Sequence, residues 1–308
     1  MMLSRTADHL FWMARQMERA ENLARLLDVS LAVSMLPQSR GGSADIAAPL
    51  ALTGMLETYL DRHDAIDARR VLHFMAYDSA NPASILSSLK AARDNAHAVR
   101  GKITAEMWMS INATWLEARE LAAAGGGDFQ GFFDWVKERS HLFRGATHGT
   151  CQRTDAFSFI RLGTYLERAD NTARLLDVKS QLLGREDDDS PDYHAWSALL
   201  RAVGAFEAYH ALYRDALSGR RVAELLLLRP DMPRSLRACF DEIRKWLERL
   251  EGDNGRPAKR LATELQAALA YSTVDEIFAE GLHPYLTRML GAIDRLGGTV
   301  QRAYLEAA

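Results

Sequence analysis

The sequence predicts an all-α protein, an internally duplicated helical bundle with pseudo-twofold symmetry, and three observations predict it. Only eight prolines occur in 308 residues, while Ala, Leu, Arg and Glu are common, a balance that favours helix. Apolar residues recur at helical spacing along the chain, with no alternating run or hairpin signal that would read as strand. A twelve-residue segment occurs twice, at 18–29 and 167–178, without gaps and identical at ten positions. The offset is 149 residues, and the Glu21/Asp170 difference keeps its charge. Such a repeat indicates a duplication that built one polar cluster into both halves. The chain reads as a single domain, 1–308, made of two helical repeats, about 1–150 and 151–308.

The elements follow in order. Residues 3–34 form a long helix whose Leu10, Met13, Met17, Ala20, Ala24, Leu27 and Leu31 share one face, the expected core side. Glu18, Asn22 and Arg25 flank that face, with Glu21 at its border. A break at 37–42 precedes a helix at 44–61 and a short apolar one at 68–77. Asn81-Pro82 reads as a helix start, with Asn as N-cap and Pro at the first helical position. Helices at 81–100 and 102–122 follow, the second carrying Trp108 as an expected core residue. Gly125 to Gly127 form a loop before a helix at 129–148. The second long helix spans about 153–183. An acidic turn at 186–189 and a Ser190-Pro191 cap lead into helices at 191–217, 221–228, 234–250 and 257–271. Thr273 and Glu276 form a capping box, and the last helix runs over 280–306. Pro233-Arg234-Ser235-Leu236 repeats the setting of Pro82 to Ile85, so the duplication extends beyond the signature helix.

Composition narrows the function. A net charge of −3 offers no field for nucleic acid or anionic lipid, so neither nucleic acid nor membrane is expected as a partner. Cys151 and Cys239 form no CxxC pair, which points to a reducing, cytoplasmic setting. The charged first 33 residues do not read as a signal peptide, and no apolar run reaches transmembrane length. No cofactor motif is present: the glycine run lacks the Lys-Ser/Thr of a phosphate loop, and neither Gly-x-Ser-x-Gly nor His-Glu-x-x-His occurs.

The chemistry lies in the repeated segment. Glu18, Glu21, Asn22 and Arg25 recur along one helix edge, and Glu167, Asp170, Asn171 and Arg174 repeat them. Glu21 and Arg25 are spaced for an ion pair. Convergence of the two edges gives either a mutually satisfied network that fixes helix register or a pocket for an anionic or amino-acid-like ligand. Lys137, Ser140, His141 and Arg144 form a second polar cluster. Arg19, Arg161 and Arg168 add guanidinium groups suited to carboxylate or phosphate. Glu138-x-x-His141 and Glu207-x-x-His210 have the spacing of di-metal helical bundles, with Glu18 and Glu167 as further carboxylates. The repeat does not relate these two motifs: offset 149 from Glu138 falls on Thr287.

The opening Met2 to Ala7, the twin Glu-Arg-Ala-x-Asn-x-Ala-Arg-Leu-Leu-Asp-Val segments, and the stretches 136–145, 221–228 and 106–108 together resemble the bacterial alpha-E domain proteins. The resemblance covers essentially the whole chain. It implies an all-helical protein found beside, or fused to, circularly permuted ATP-grasp proteins, and often near transglutaminase-like peptidases and proteasome-like hydrolases. That context implies the making or handling of a small peptide or amide-linked product. The expected role is a non-catalytic helical binding partner of an ATP-grasp amide ligase, with a polar Glu/Arg/Asn pocket between the repeats. The alternatives are an enzyme acting on an amide through this cluster and His141, and a di-metal carboxylate-histidine bundle. The family brings no assigned catalytic residues. The candidate ligand-binding set is therefore Glu18, Glu21, Asn22, Arg25, His141, Arg144, Glu167, Asp170, Asn171 and Arg174, with no metal ligand assigned.

Overall fold

The structure, a computed structural model, describes residues 2–35, 42–125, 127–182, 193–214 and 216–306, the side chains of 42–45 and 180–182 aside. These residues contain fifteen α-helices and no β-strand. Of the expected break at 37–42, residues 37–41 lie outside them, as do the acidic turn and the Ser190-Pro191 cap; Gly42 already begins a helix. No helix among the described residues is long and apolar enough to cross a membrane.

Two packing units divide the chain. One is Trp12–Phe157, the N-terminal unit; the other joins Met1–Phe11 to Ser158–Ala308, the C-terminal unit. The N-terminal unit takes most of α1 (Ser4–Ser34), then α2 (Gly42–Thr53), α3 (Leu56–Leu60), α4 (Ala68–Ala76), α5 (Ile85–Ala98), α6 (Ala105–Ala123) and α7 (Phe129–Thr150). Side-chain caps fix its helix starts. Asp67, Ser84, Thr104 and Asp128 accept the N–H groups of Arg70, Ser87, Met107 and Gly131 at the starts of α4 to α7. On its core side of α1, Met13, Met17, Ala20, Ala24 and Leu27 are buried as expected, while Leu31, near the end of the helix, is only half-buried. Truncating one of its large members would cost about 2–5 kcal/mol.

Most of α8 (Asp155–Leu182) belongs to the C-terminal unit. There it is followed by α9 (Tyr193–Ala202), α10 (Phe206–Tyr213), α11 (Gly219–Leu228), α12 (Leu236–Arg249), α13 (Arg256–Tyr271), α14 (Val274–Glu280) and α15 (Leu282–Val300). The last of these ends in a π-helical turn, Gln301–Leu305. Ser218 and Ser235 cap α11 and α12, and the capping box of Thr273 and Glu276 forms at α14.

Four readings of the sequence need correction. The 44–61 helix is two helices, turned at Gly54, whose φ of +69° suits a residue without a Cβ. The 191–217 helix is broken in the same way at Gly204, φ +63°. Asn81 is not the N-cap of α5. It is fully buried; its amide donates to Phe74 O (3.0 Å) and its carbonyl accepts from Ala83 N–H (2.9 Å), so it ties α4 to the following turn while Ser84 caps. Trp108 is half-buried rather than core, with the Arg93 and Arg100 guanidinium carbons 5.7 and 5.2 Å from its ring.

Local detail recurs between the units. After Gly54 and after Gly204 comes a short helix with a fully buried tyrosine, Tyr59 or Tyr209. Each hydroxyl donates to a main-chain carbonyl further on, Ala65 at 3.4 Å and Ala216 at 3.1 Å.

Candidate functional site

In the N-terminal unit the signature segment sits against α7. The sequence placed Glu21 at a border, but it is fully buried. Arg25 Nε donates to its Oε1 at 2.9 Å, the expected one-turn pair. Oε2 accepts the Ser140 hydroxyl at 2.7 Å and an N–H of Arg144. His141 Nε2 lies 3.7 Å from Oε1 and 3.3 Å from a terminal nitrogen of Arg25. A guanidinium can only donate, so in this contact the imidazole nitrogen is the acceptor. Lower on the same interface, Asp28 accepts from Lys137 Nζ and from Gln130 Nε2, both at 2.7 Å. Burial alone would lower the Lys137 pKa, but the Asp134 and Asp28 carboxylates raise it.

Gln130, Lys137, Ser140, His141 and Arg144 thus form one stripe of α7 on α1. Sequence reasoning grouped Lys137, Ser140, His141 and Arg144 as a cluster apart from the signature segment, and missed Asp28 and Gln130. Spacings of 3, 4 and 7 on α7 were the available signal. Glu18 and Asn22 are also buried in this unit, at 3% and 4% exposure.

In the C-terminal unit the second signature copy is less enclosed. Asp170 accepts from Arg174 Nε at 2.7 Å, with the Arg174 side chain 49% exposed. Asp170 holds the Arg174 pKa above its ordinary value, with Glu167 and Asp294 adding to the effect. Glu167 is buried, and Asn171 is half-buried with an amide nitrogen that meets no hydrogen-bond partner among the described residues. Asp177, the equivalent of Asp28, is 2.6 Å from His283 Nδ1 on α15. Arg161 and Arg168 gather at one ring: an Arg161 N–H donates to the Tyr165 hydroxyl, and the guanidinium carbons lie 4.6 and 5.3 Å from the ring centroid. Burial pushes the Tyr165 hydroxyl pKa up.

The metal motifs do not assemble within their own units. Glu138, Glu207 and His210 are exposed, His141 turns to Arg25, and His210 packs edge-on against Phe206 at 4.6 Å. Among the described residues no three His, Cys, Asp or Glu side chains stand together as a metal group would require. Cys151 is buried and its thiol pKa is raised by burial, which works against a nucleophilic role.

Both oxygens of Glu21 are occupied, so it cannot take up a proton without giving up ion pairs. Two guanidiniums around one carboxylate leave an excess positive charge. Arg25 and Arg144 retain 19% and 28% of their side-chain exposure, next to His141 at 56%. Partly exposed N–H groups of this kind suit a carboxylate or phosphate.

Fold and site together define an all-helical protein whose central feature is a buried carboxylate held by paired arginines. The chain belongs to the alpha-E family, described as a predicted alpha-helical domain with a conserved ER motif, which it matches over residues 2–305. Glu-Arg opens both signature segments, at Glu18-Arg19 and Glu167-Arg168. The chain is similar to uncharacterized proteins of Mycobacterium bovis (strain ATCC BAA-935 / AF2122/97) and of Mycobacterium tuberculosis strains CDC 1551 / Oshkosh and ATCC 25618 / H37Rv. Each is 26% identical across 94% of this chain and 35% of the relative, so the chain spans about a third of the length of these relatives. No solved structure matches.

Proposed function

We propose that this alpha-E chain is a non-catalytic helical binding partner of a circularly permuted ATP-grasp amide ligase, working in the cytoplasm in peptide biosynthesis. In this reading the Arg25–His141–Arg144 edge receives the carboxylate of a small peptide or amino-acid-like ligand. The observation that carries it is the saturation of Glu21. A carboxylate that accepts from three donor groups orients its arginines and is poorly placed to shuttle protons, while those arginines stay partly exposed. In the mycobacterial relatives the matched region is joined to roughly twice its own length of further chain. The recurrence of elbow, buried tyrosine and serine cap in both units supports a duplication as the origin of the two signature segments.

Co-expression with a circularly permuted ATP-grasp ligase from the same genome tests the reading. The expected result is co-purification, with ligase turnover of its acceptor lowered at least tenfold when Arg25→Gln and Arg144→Gln are combined in a folded variant. Failure to associate at micromolar concentration, together with ligase activity indifferent to this chain, overturns it.

A further inference from the structure

A second cationic recess, sharing no residue with the Glu21 cluster, lies where α4 begins in the N-terminal unit. Its cavity volume is about 570 Å³, within the range of small-ligand pockets. Arg62, Arg69, Arg70 and His73 line it together with Asp67 and Asp78. Both carboxylates have assigned work. Asp67 Oδ1 accepts the Arg70 N–H at 2.9 Å and so caps α4. Asp78 accepts from Arg62 at 2.8 Å through one oxygen and from Ala80 N–H at 2.8 Å through the other. The guanidiniums of Arg69 and Arg70 then meet no carboxylate among the described residues. With both imidazoles neutral the lining carries one excess positive charge. The floor is aromatic: Phe74 is buried, the His63 ring lies tilted 4.5 Å from Tyr59, and Phe129 closes another side.

The C-terminal unit supplies an internal comparison. Ser218 caps α11 as Asp67 caps α4, and an Arg-Arg pair follows at the same distance, Arg220-Arg221. There the first arginine is paired with Asp275, the second lies with its guanidinium carbon 5.5 Å from the Tyr213 ring, and Glu224 stands where the other unit has His73. One copy of the motif has its positive charge neutralised, while the other keeps it facing a cavity with an aromatic floor.

We propose that the Arg69–Arg70–His73 recess binds a small organic dianion, a phosphate monoester or a dicarboxylate, with its anionic groups on the two arginines and its carbon skeleton over Phe74.

Calorimetric titration of the full chain with phenyl phosphate and, separately, with glutarate tests this. Binding of either probe is expected to weaken about tenfold or more in Arg69→Gln/Arg70→Gln, given the strength of charge-assisted hydrogen bonds. His73→Glu, which installs the residue the C-terminal unit already carries at that place, is expected to reduce binding similarly with an unchanged far-UV spectrum and melting temperature. Phenyl phosphate alone binding assigns the site to phosphate esters; glutarate alone assigns it to dicarboxylates; both binding supports the shared chemistry. If neither probe binds the parent chain, or if the variants bind as tightly as it does, the proposal is overturned. Association with the ATP-grasp partner is read in a different assay, so the two readings fail separately.

Discussion

Replacing Glu21 with Gln is the most direct test of how the signature segment works. The side chains are nearly isosteric, so packing around a fully buried position is kept while the charge is removed. Two guanidiniums then face a neutral amide whose NH₂ cannot accept from either. Breaking a buried pair by removing one partner costs about 3–5 kcal/mol. Arg25 and Arg144 retain some exposure, and water will partly screen them, which brings the expectation to about 2–4 kcal/mol. At about 2–4 °C per kcal/mol for a domain of this size, the melting temperature should fall by roughly 4–16 °C. The matched control is Asp170→Asn in the second copy. Among the described residues of the C-terminal unit only the half-exposed Arg174 pairs with that carboxylate, and an exposed pair is worth about 0–1 kcal/mol. Circular-dichroism melts and urea titrations of both variants read the difference. Equal shifts in the two, or a Glu21→Gln shift under 2 °C, would refute the claim that the two copies have different structural weight.

Two further outcomes follow from the packing. Gly255→Ala should destabilise by about 1–3 kcal/mol, because a Cβ there would stand 1.6 Å from the Tyr304 hydroxyl; Gly297→Ala, with open space at that point, should be neutral or slightly stabilising in the same thermal melt. Cys151, whose thiol pKa is raised by burial, should react with a chromogenic disulfide at pH 8 several-fold more slowly in the native protein than in urea, and a native rate equal to the unfolded one would count against that shift.

Much of the fold was legible because its signals are local. Periodicity located α1, α4, α7 and α8 to within a few residues, and Thr273 with Glu276 marked the start of α14. The helices at 44–61 and 191–217 were overrun because apolar periodicity continues through Gly54 and Gly204, and glycine in a helical pattern does not reveal its φ. Asn81-Pro82 carried a convincing start signal, but the side chain of Asn81 found a better use on the carbonyl of Phe74. The site was legible only within a helix. The Glu21–Arg25 and Asp170–Arg174 pairs are fixed by spacing. The arrival of Ser140 and Arg144 on Glu21 is a contact over more than a hundred residues, and helical geometry alone does not encode it. The recess at α4 escaped for a similar reason: Arg69-Arg70 looks like any solvated pair until Asp67 and Asp78 are seen to be engaged elsewhere.

The buried tyrosines after the two glycine elbows have a consequence for how the chain tolerates change. Each works as a spacer of fixed length, a rigid ring anchored in a short helix with its hydroxyl on the carbonyl of the loop beyond. That carbonyl is six residues on from Tyr59 and seven from Tyr209. The extra residue is absorbed within the span, because the ring sets the distance between the ends whatever the number of residues between them. The loop is therefore a joint that can lengthen without re-aiming the next helix. In the N-terminal unit that loop carries Arg62 and His63, so the lining of the recess can be altered there while the helices behind it stay in register.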